Sequence, residues 1–96
     1  MFFLNYKQKA EKNKNKIIKR DVKAMKTQCI REFRKSIKKG FELTYVDFCF
    51  IVTRDFESEI SDIVLKELQQ EHKDIEFSFS WRHCNNSYKG IKMIAL

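Results

Sequence analysis

Lys16, Arg20, Lys23, Arg31, Arg34 and Lys38 recur at separations of three, four and eight residues. At 100° per residue they fall within about 80° of a helix circumference. Side chains of this type hold phosphate or carboxylate oxygens through charge-assisted hydrogen bonds. Lys19, Lys26, Lys35 and Lys39 flank the same stripe. Like charges three or four residues apart, as in Lys16–Arg20 and Arg34–Lys38, destabilise a helix by about 0.2–0.5 kcal/mol per pair. A bound polyanion relieves that repulsion. The competing expectation is a solvated helix face whose charge partly complements an acidic second helix. Residues 1–39 hold fourteen Lys or Arg against three acids, whereas residues 40–96 hold six against ten. Compositional bias towards Lys does not by itself separate the signs in this way.

A second group lies in WRHCNNSYKG. Arg82, His83, Asn85 and Tyr88 can hydrogen-bond to a phosphate or stack on a base. The same residue types also build an ordinary polar turn. His83 and Cys84 are the only adjacent metal-type pair, and no C-x-x-C spacing accompanies them. A tetrahedral zinc site needs four ligands, so no metal site is expected. Neighbouring strand residues point to opposite faces, which argues against a Cys–His nucleophile at this pair. Glu57, Glu59 and Asp62 suit the positive end of a helix better than acid–base chemistry. With two Gly in the chain, a glycine-rich phosphate loop is not expected either. The reading is a binding protein without catalytic residues or cofactor, not an enzyme.

These groups need elements to carry them. Ile18, Val22, Met25, Cys29 and Phe33 form an apolar stripe opposite the basic one, with Ile30 and Ile37 at its edge. Gly40 after KSIKK marks a helix C-terminus, so the helix runs from about Asp21 or earlier to Lys39. Residues 1–15 form an N-terminal arm, mobile or partly helical. FELTYVDFCFIV, residues 41–52, reads as a strand apolar on both faces. Thr53 or Asp55 can cap a second helix, whose apolar face carries Phe56, Ile60, Ile63, Val64 and Leu68. DIEFSFSW alternates Ile75, Phe77, Phe79 and Trp81 with Glu76, Ser78, Ser80 and Arg82, as a half-exposed strand does. YKGIKMIAL closes the chain as a third strand.

The order α-β-α-β-β predicts a single small α+β domain over residues 1–96. Two helices should pack on one face of a three-stranded mixed sheet, with the strand–helix–strand unit a right-handed crossover if its strands are parallel. Tyr45, Cys49 and Ile51 would share the other face with Ile94 and Leu96. That face should be covered by a second copy, giving a homo-oligomer, or by MFFLNY folding back. No run of about 18 apolar residues crosses a membrane. MFFL is too short for a signal-peptide core. Three cysteines without a paired framework suggest reduced thiols and a cytoplasmic setting.

IREFRKSIKKGFELTYVDF, and IVLKELQQEHKDIEFSFSW followed by IKMIAL, together resemble small accessory proteins of bacteriophages and mobile elements. The resemblance spans about residues 18–96. It implies regulatory or anti-defence roles, such as inhibiting a host protein or sequestering a signalling nucleotide at an oligomer interface. The element order is also similar to nucleic-acid-binding folds of the Alba type without their first strand. The net charge of +7 favours anionic partners. The expected partner is therefore a nucleic acid or nucleotide engaged through the basic helix, or alternatively an acidic host protein.

Overall fold

The computed structural model describes residues 5–83 and 87–96. Helix α1 spans Tyr6–Lys38, strand β1 Leu43–Asp47, helix α2 Glu57–Glu71, strand β2 Ile75–His83 and strand β3 Ser87–Ala95. Two 3-10 turns, Phe48–Phe50 and Arg54–Phe56, connect β1 to α2.

Helix α1 reaches back across KNKNK because a capping box nucleates it early. The Asn5 side chain accepts from the Gln8 N–H at 2.8 Å, and the Gln8 side chain accepts from the Asn5 N–H at 3.1 Å. Two otherwise orphaned donors are satisfied reciprocally. At the other end Gly40 adopts φ +88°. The Phe41 N–H then reaches Ser36 O at 2.9 Å, and the Gly40 N–H reaches Ile37 O at 3.0 Å. This left-handed glycine terminus closes α1 where the sequence places it.

The sheet is antiparallel throughout, in the order β1-β3-β2, and not mixed as the sequence suggested. β3 takes the middle position and separates β1 from β2. Those two run in the same direction without touching as neighbours. The hairpin partner of β2 therefore satisfies both inner edges with antiparallel ladders, which are slightly the more stable kind. Gly90 admits it. A Cβ at Gly90 would sit 2.6 Å from Val46 O and 2.9 Å from Asp47 Oδ1.

The strand expected over residues 41–52 is also shorter than expected. After Asp47 the chain turns, burying Phe48 completely and leaving Phe50 82% exposed. The apolar run was thus a strand followed by a turn with one inward anchor. Consequently Cys49 and Ile51 do not share a sheet face with Tyr45. Cys49 is exposed in the turn, and Ile51 packs against the core. Neither Thr53 nor Asp55 caps α2. Phe56 occupies that position without a side-chain cap, while Glu57 and Glu59 lie in the first turn.

The register aligns Thr44, Met93 and Phe77 in one row and Val46, Ile91 and Phe79 in the next. Val22, Met25, Cys29 and Phe33 of α1 and Ile60, Val64 and Leu68 of α2 join this sheet face in one buried cluster. Alternation sends Leu43, Tyr45, Lys92, Ile94, Glu76 and Ser78 to the opposite face. Leu43 and Tyr45 remain about two-fifths exposed there, at 40% and 41%.

Two substitutions test this packing. Gly90→Ala should destabilise the fold by about 1–3 kcal/mol, because the obstructing atom is backbone and cannot swing aside. An unchanged urea midpoint would show that β1 and β3 are not held this closely. Thr44 Oγ1 is buried without a hydrogen-bond partner among the described residues. Thr44→Val should therefore be neutral or stabilising by up to about 1 kcal/mol in the same assay, where loss of a satisfied hydroxyl would destabilise.

Candidate polyanion interface

Every member of the stripe, Lys16, Arg20, Lys23, Arg31, Arg34 and Lys38, is exposed on α1. From Lys16 to Lys38 the stripe extends about 33 Å at 1.5 Å per residue. Its orientation follows from the apolar stripe, which turns Val22, Met25, Cys29 and Phe33 into the core.

The cations of α1 divide by direction. Those turned towards α2 are paired: Lys14 Nζ lies 3.0 Å from Glu59, and Lys26 Nζ lies 2.9 Å from Glu67 and 2.5 Å from Glu71. Burial alone would lower the Lys26 pKa, but hydrogen bonds to Glu71 and Glu67 outweigh it and hold the pKa above its usual value. Lys35 meets Glu32 on its own helix at 3.4 Å. Among the described residues, Lys16, Lys23, Arg31, Arg34 and Lys38 make no ion pair. Arg20 differs, since its Nε donates to Asp21 Oδ1 at 3.1 Å. Charge complementation of the acidic helix is thus real, but it draws on Lys14 and Lys26 and leaves the stripe out.

Asp21 carried no signal in the sequence beyond being an acid among cations. It is 4% exposed. Its Oδ2 accepts the Thr53 N–H at 2.8 Å, tying α1 to the connection between β1 and α2. Burial on its own would raise the Asp21 pKa. The hydrogen bonds from Thr53 and Arg20 overcome it, so the carboxyl sits below its usual range.

An open groove of about 1110 Å³ runs along one shoulder of α1 beside α2. Ile18, Val22, Ile30, Ile63 and Leu68 contribute apolar lining. Lys23, Arg31, Arg34 and Lys38 of the stripe lie along it, whereas Lys16 and Arg20 do not. Four of the six stripe residues therefore border one concave surface.

The second group of residues is elsewhere. Arg82 and His83 belong to β2 and Tyr88 to β3, with Arg82 opposite Tyr88 in the register. Asn85, with Cys84 and Asn86, lies outside the described residues. The Tyr88 ring stacks on Phe50 at 6.3 Å between centroids and 28° between planes. By alternation Tyr88 shares the face of Tyr45 and Lys92, while α1 covers the opposite face. The sheet thus separates Tyr88 from the basic stripe.

Among the described residues no cluster of three or more His, Cys, Asp or Glu is placed to hold a metal ion. Cys29 is buried at α1, and burial pushes its thiol up to about 12, which keeps it protonated near neutral pH. No helix among the described residues is long and apolar enough to cross a membrane.

The Asp21 tie predicts a pH signature. Because its pKa is lowered in the folded state, its contribution is present above the unfolded value of about 3.9 and is lost as pH falls through the folded value. Asp21→Ala should cost about 1–3 kcal/mol near pH 7 in urea unfolding. The gap between wild type and variant should shrink below about pH 4. A gap independent of pH would mean that the carboxylate charge plays no part.

No protein-family model, no curated protein and no solved structure matches the chain.

Proposed function

We propose that the protein is a non-enzymatic polyanion-binding protein that engages nucleic acid through the exposed cations of α1. One observation carries this reading. Lys16, Lys23, Arg31, Arg34 and Lys38 lie in one line on a rigid helix, exposed and outside any ion pair among the described residues. Their roughly 33 Å extent is close to one turn of duplex, about 34 Å. A mononucleotide spans only a fraction of such a line, so a nucleic-acid strand or duplex fits better. Duplex DNA carries about one charge per 1.7 Å of axis and releases condensed counterions when cations replace them. That release supplies the affinity, and it also relieves the repulsion between stripe neighbours such as Arg34 and Lys38.

The interaction is expected to track the phosphate backbone more than base sequence, since the exposed cations form a line along one helix, and contacts of that kind go to phosphates. Binding at a helix surface with long flexible side chains also tolerates different backbone spacings, which suits a protein of low sequence selectivity.

Five phosphate contacts predict a slope of about −4 to −5 for log affinity against log salt with duplex DNA. Replacing Lys16, Lys23, Arg31, Arg34 and Lys38 by Gln should flatten that slope and weaken binding, with the circular dichroism spectrum unchanged. Arg20 is left in place because it supports Asp21. Fluorescence anisotropy with labelled duplex and single-stranded oligonucleotides measures both quantities. No binding of either form at about 50 mM salt would falsify the proposal, since backbone contacts are strongest at low salt.

A further inference from the structure

β2 is an edge strand, and its open side has a definite phase. The Leu96 N–H donates to Asp74 O at 3.1 Å, on the β2 side of β3, and the Ala95 N–H donates to Glu42 O at 2.9 Å, on the β1 side. Even-numbered positions of β2 therefore direct their backbone groups towards β3. Ile75, Phe77, Phe79 and Trp81 direct theirs to the free edge. Phe77 O accepts from the Gln69 side chain at 3.2 Å. Among the described residues no backbone group pairs with Phe79 or Trp81 on that side.

Proteins usually guard such an edge with Lys, Pro, a bulge or a very short strand. β2 has nine residues, Ile75–His83, with neither Lys nor Pro among them. The other edge strand, β1, has five residues and ends in a 3-10 turn. The two edges of the sheet are therefore unequally protected.

The residues of β2 are also matched to their own reverse. Counted outward from Phe79, Ser78 corresponds to Ser80, Phe77 to Trp81 and Glu76 to Arg82. We infer that two copies of the chain pair antiparallel through their β2 edges, about a two-fold axis at Phe79. In that register Phe79 faces its own copy as a hydrogen-bonded pair, which agrees with the outward phase of odd positions. Phe77 lies opposite Trp81 of the second copy and Ser78 opposite Ser80, so aromatic residues meet, and the register aligns position 76 with position 82. Trp81, 58% exposed in the single chain, gains an aromatic neighbour. A shift of two residues would lose the Glu–Arg correspondence, and a shift of one would place odd positions opposite even ones. The product is a continuous six-stranded antiparallel sheet with an isologous interface.

The occupant is a second copy because the strand complements itself. A foreign strand would need only a free edge and would not call for this symmetry. The axis is perpendicular to the sheet, so both helical layers lie on the same side, and two copies of α1 become available to one ligand. The pairing does not rest on nucleic-acid binding and stands or falls separately from it.

Cross-linking in a Cys49→Ser/Cys84→Ser background tests the register. In the proposed arrangement position 78 of one copy faces position 80 of the other in a non-hydrogen-bonded pair. Such Cα atoms lie about 4.5 Å apart, within disulfide range. Mixing the Ser78→Cys protein with the Ser80→Cys protein under mild oxidation should give severalfold more covalent dimer than either protein alone. Sedimentation of the wild type should show a dimer, and Ser78→Lys should weaken it severalfold while leaving circular dichroism unchanged. A wild type that stays monomeric at every concentration overturns the inference. So does equal cross-linking in the mixture and in the separate proteins, or a dimer indifferent to Ser78→Lys.

Discussion

The rotational setting of α1 governs the arrangement of the molecule, and Asp21 helps to hold it. A carboxylate that is 4% exposed must keep its hydrogen bonds or incur a desolvation cost. Here it meets the Thr53 N–H across the domain and Arg20 on its own helix. With Asp21 directed at the β1–α2 connection, the apolar stripe points into the core and Lys26 points at α2. The remaining circumference faces water. A rotation of α1 by a third of a turn would bury cations, so anchor and charge pattern enforce each other. The hydrophobic stripe determines which side is inward, and the buried carboxylate links that side to a particular segment of the chain.

Much of this was legible in the amino-acid order. The helical period of Ile18, Val22, Met25, Cys29 and Phe33, the Gly40 terminus and the alternation from Ile75 to Trp81 each report a local preference, and each is realised. What failed depended on non-local choices. Nothing within YKGIKMIAL states whether it pairs with one strand or two, so its central place was hidden until Gly90 could be seen against Val46 and Asp47. FCFIV looks like a continuing strand because Phe48 is apolar, yet burial of Phe48 is compatible with a turn as well as with a strand. Thr53 looked like a helix cap, but the 3-10 turn Arg54–Phe56 intervenes before α2 and the Thr53 side chain makes no cap bond there. For the candidate interface, the stripe residues could be listed from the helical wheel alone. Which cations α2 neutralises could not, because Glu59, Glu67 and Glu71 are forty or more positions away in the chain.

The acids of α2 act as a filter on α1. They remove Lys14 and Lys26 from the pool of available charges and use them to join the helices. Partly exposed pairs of this kind contribute modestly to stability individually. Their larger effect is to distinguish two populations of cations on one helix, one internal to the fold and one presented outward. The apolar groove on the shoulder between those populations is bordered by members of both.

Helix α1 also has consequences beyond its contacts. It is 33 residues long and has no acid in its first turn, while Lys7, Lys9 and Lys12 follow its N-terminus closely. The peptide dipoles of a helix already place about half a positive charge at that end. The side-chain charges add to it, and the excess acids of residues 40–96 lie in the other elements. At the N-terminal end of α1, side-chain charge and the field of the peptide dipoles therefore have the same sign and reinforce each other, whereas at the C-terminal end Lys35 and Lys38 offset the negative pole.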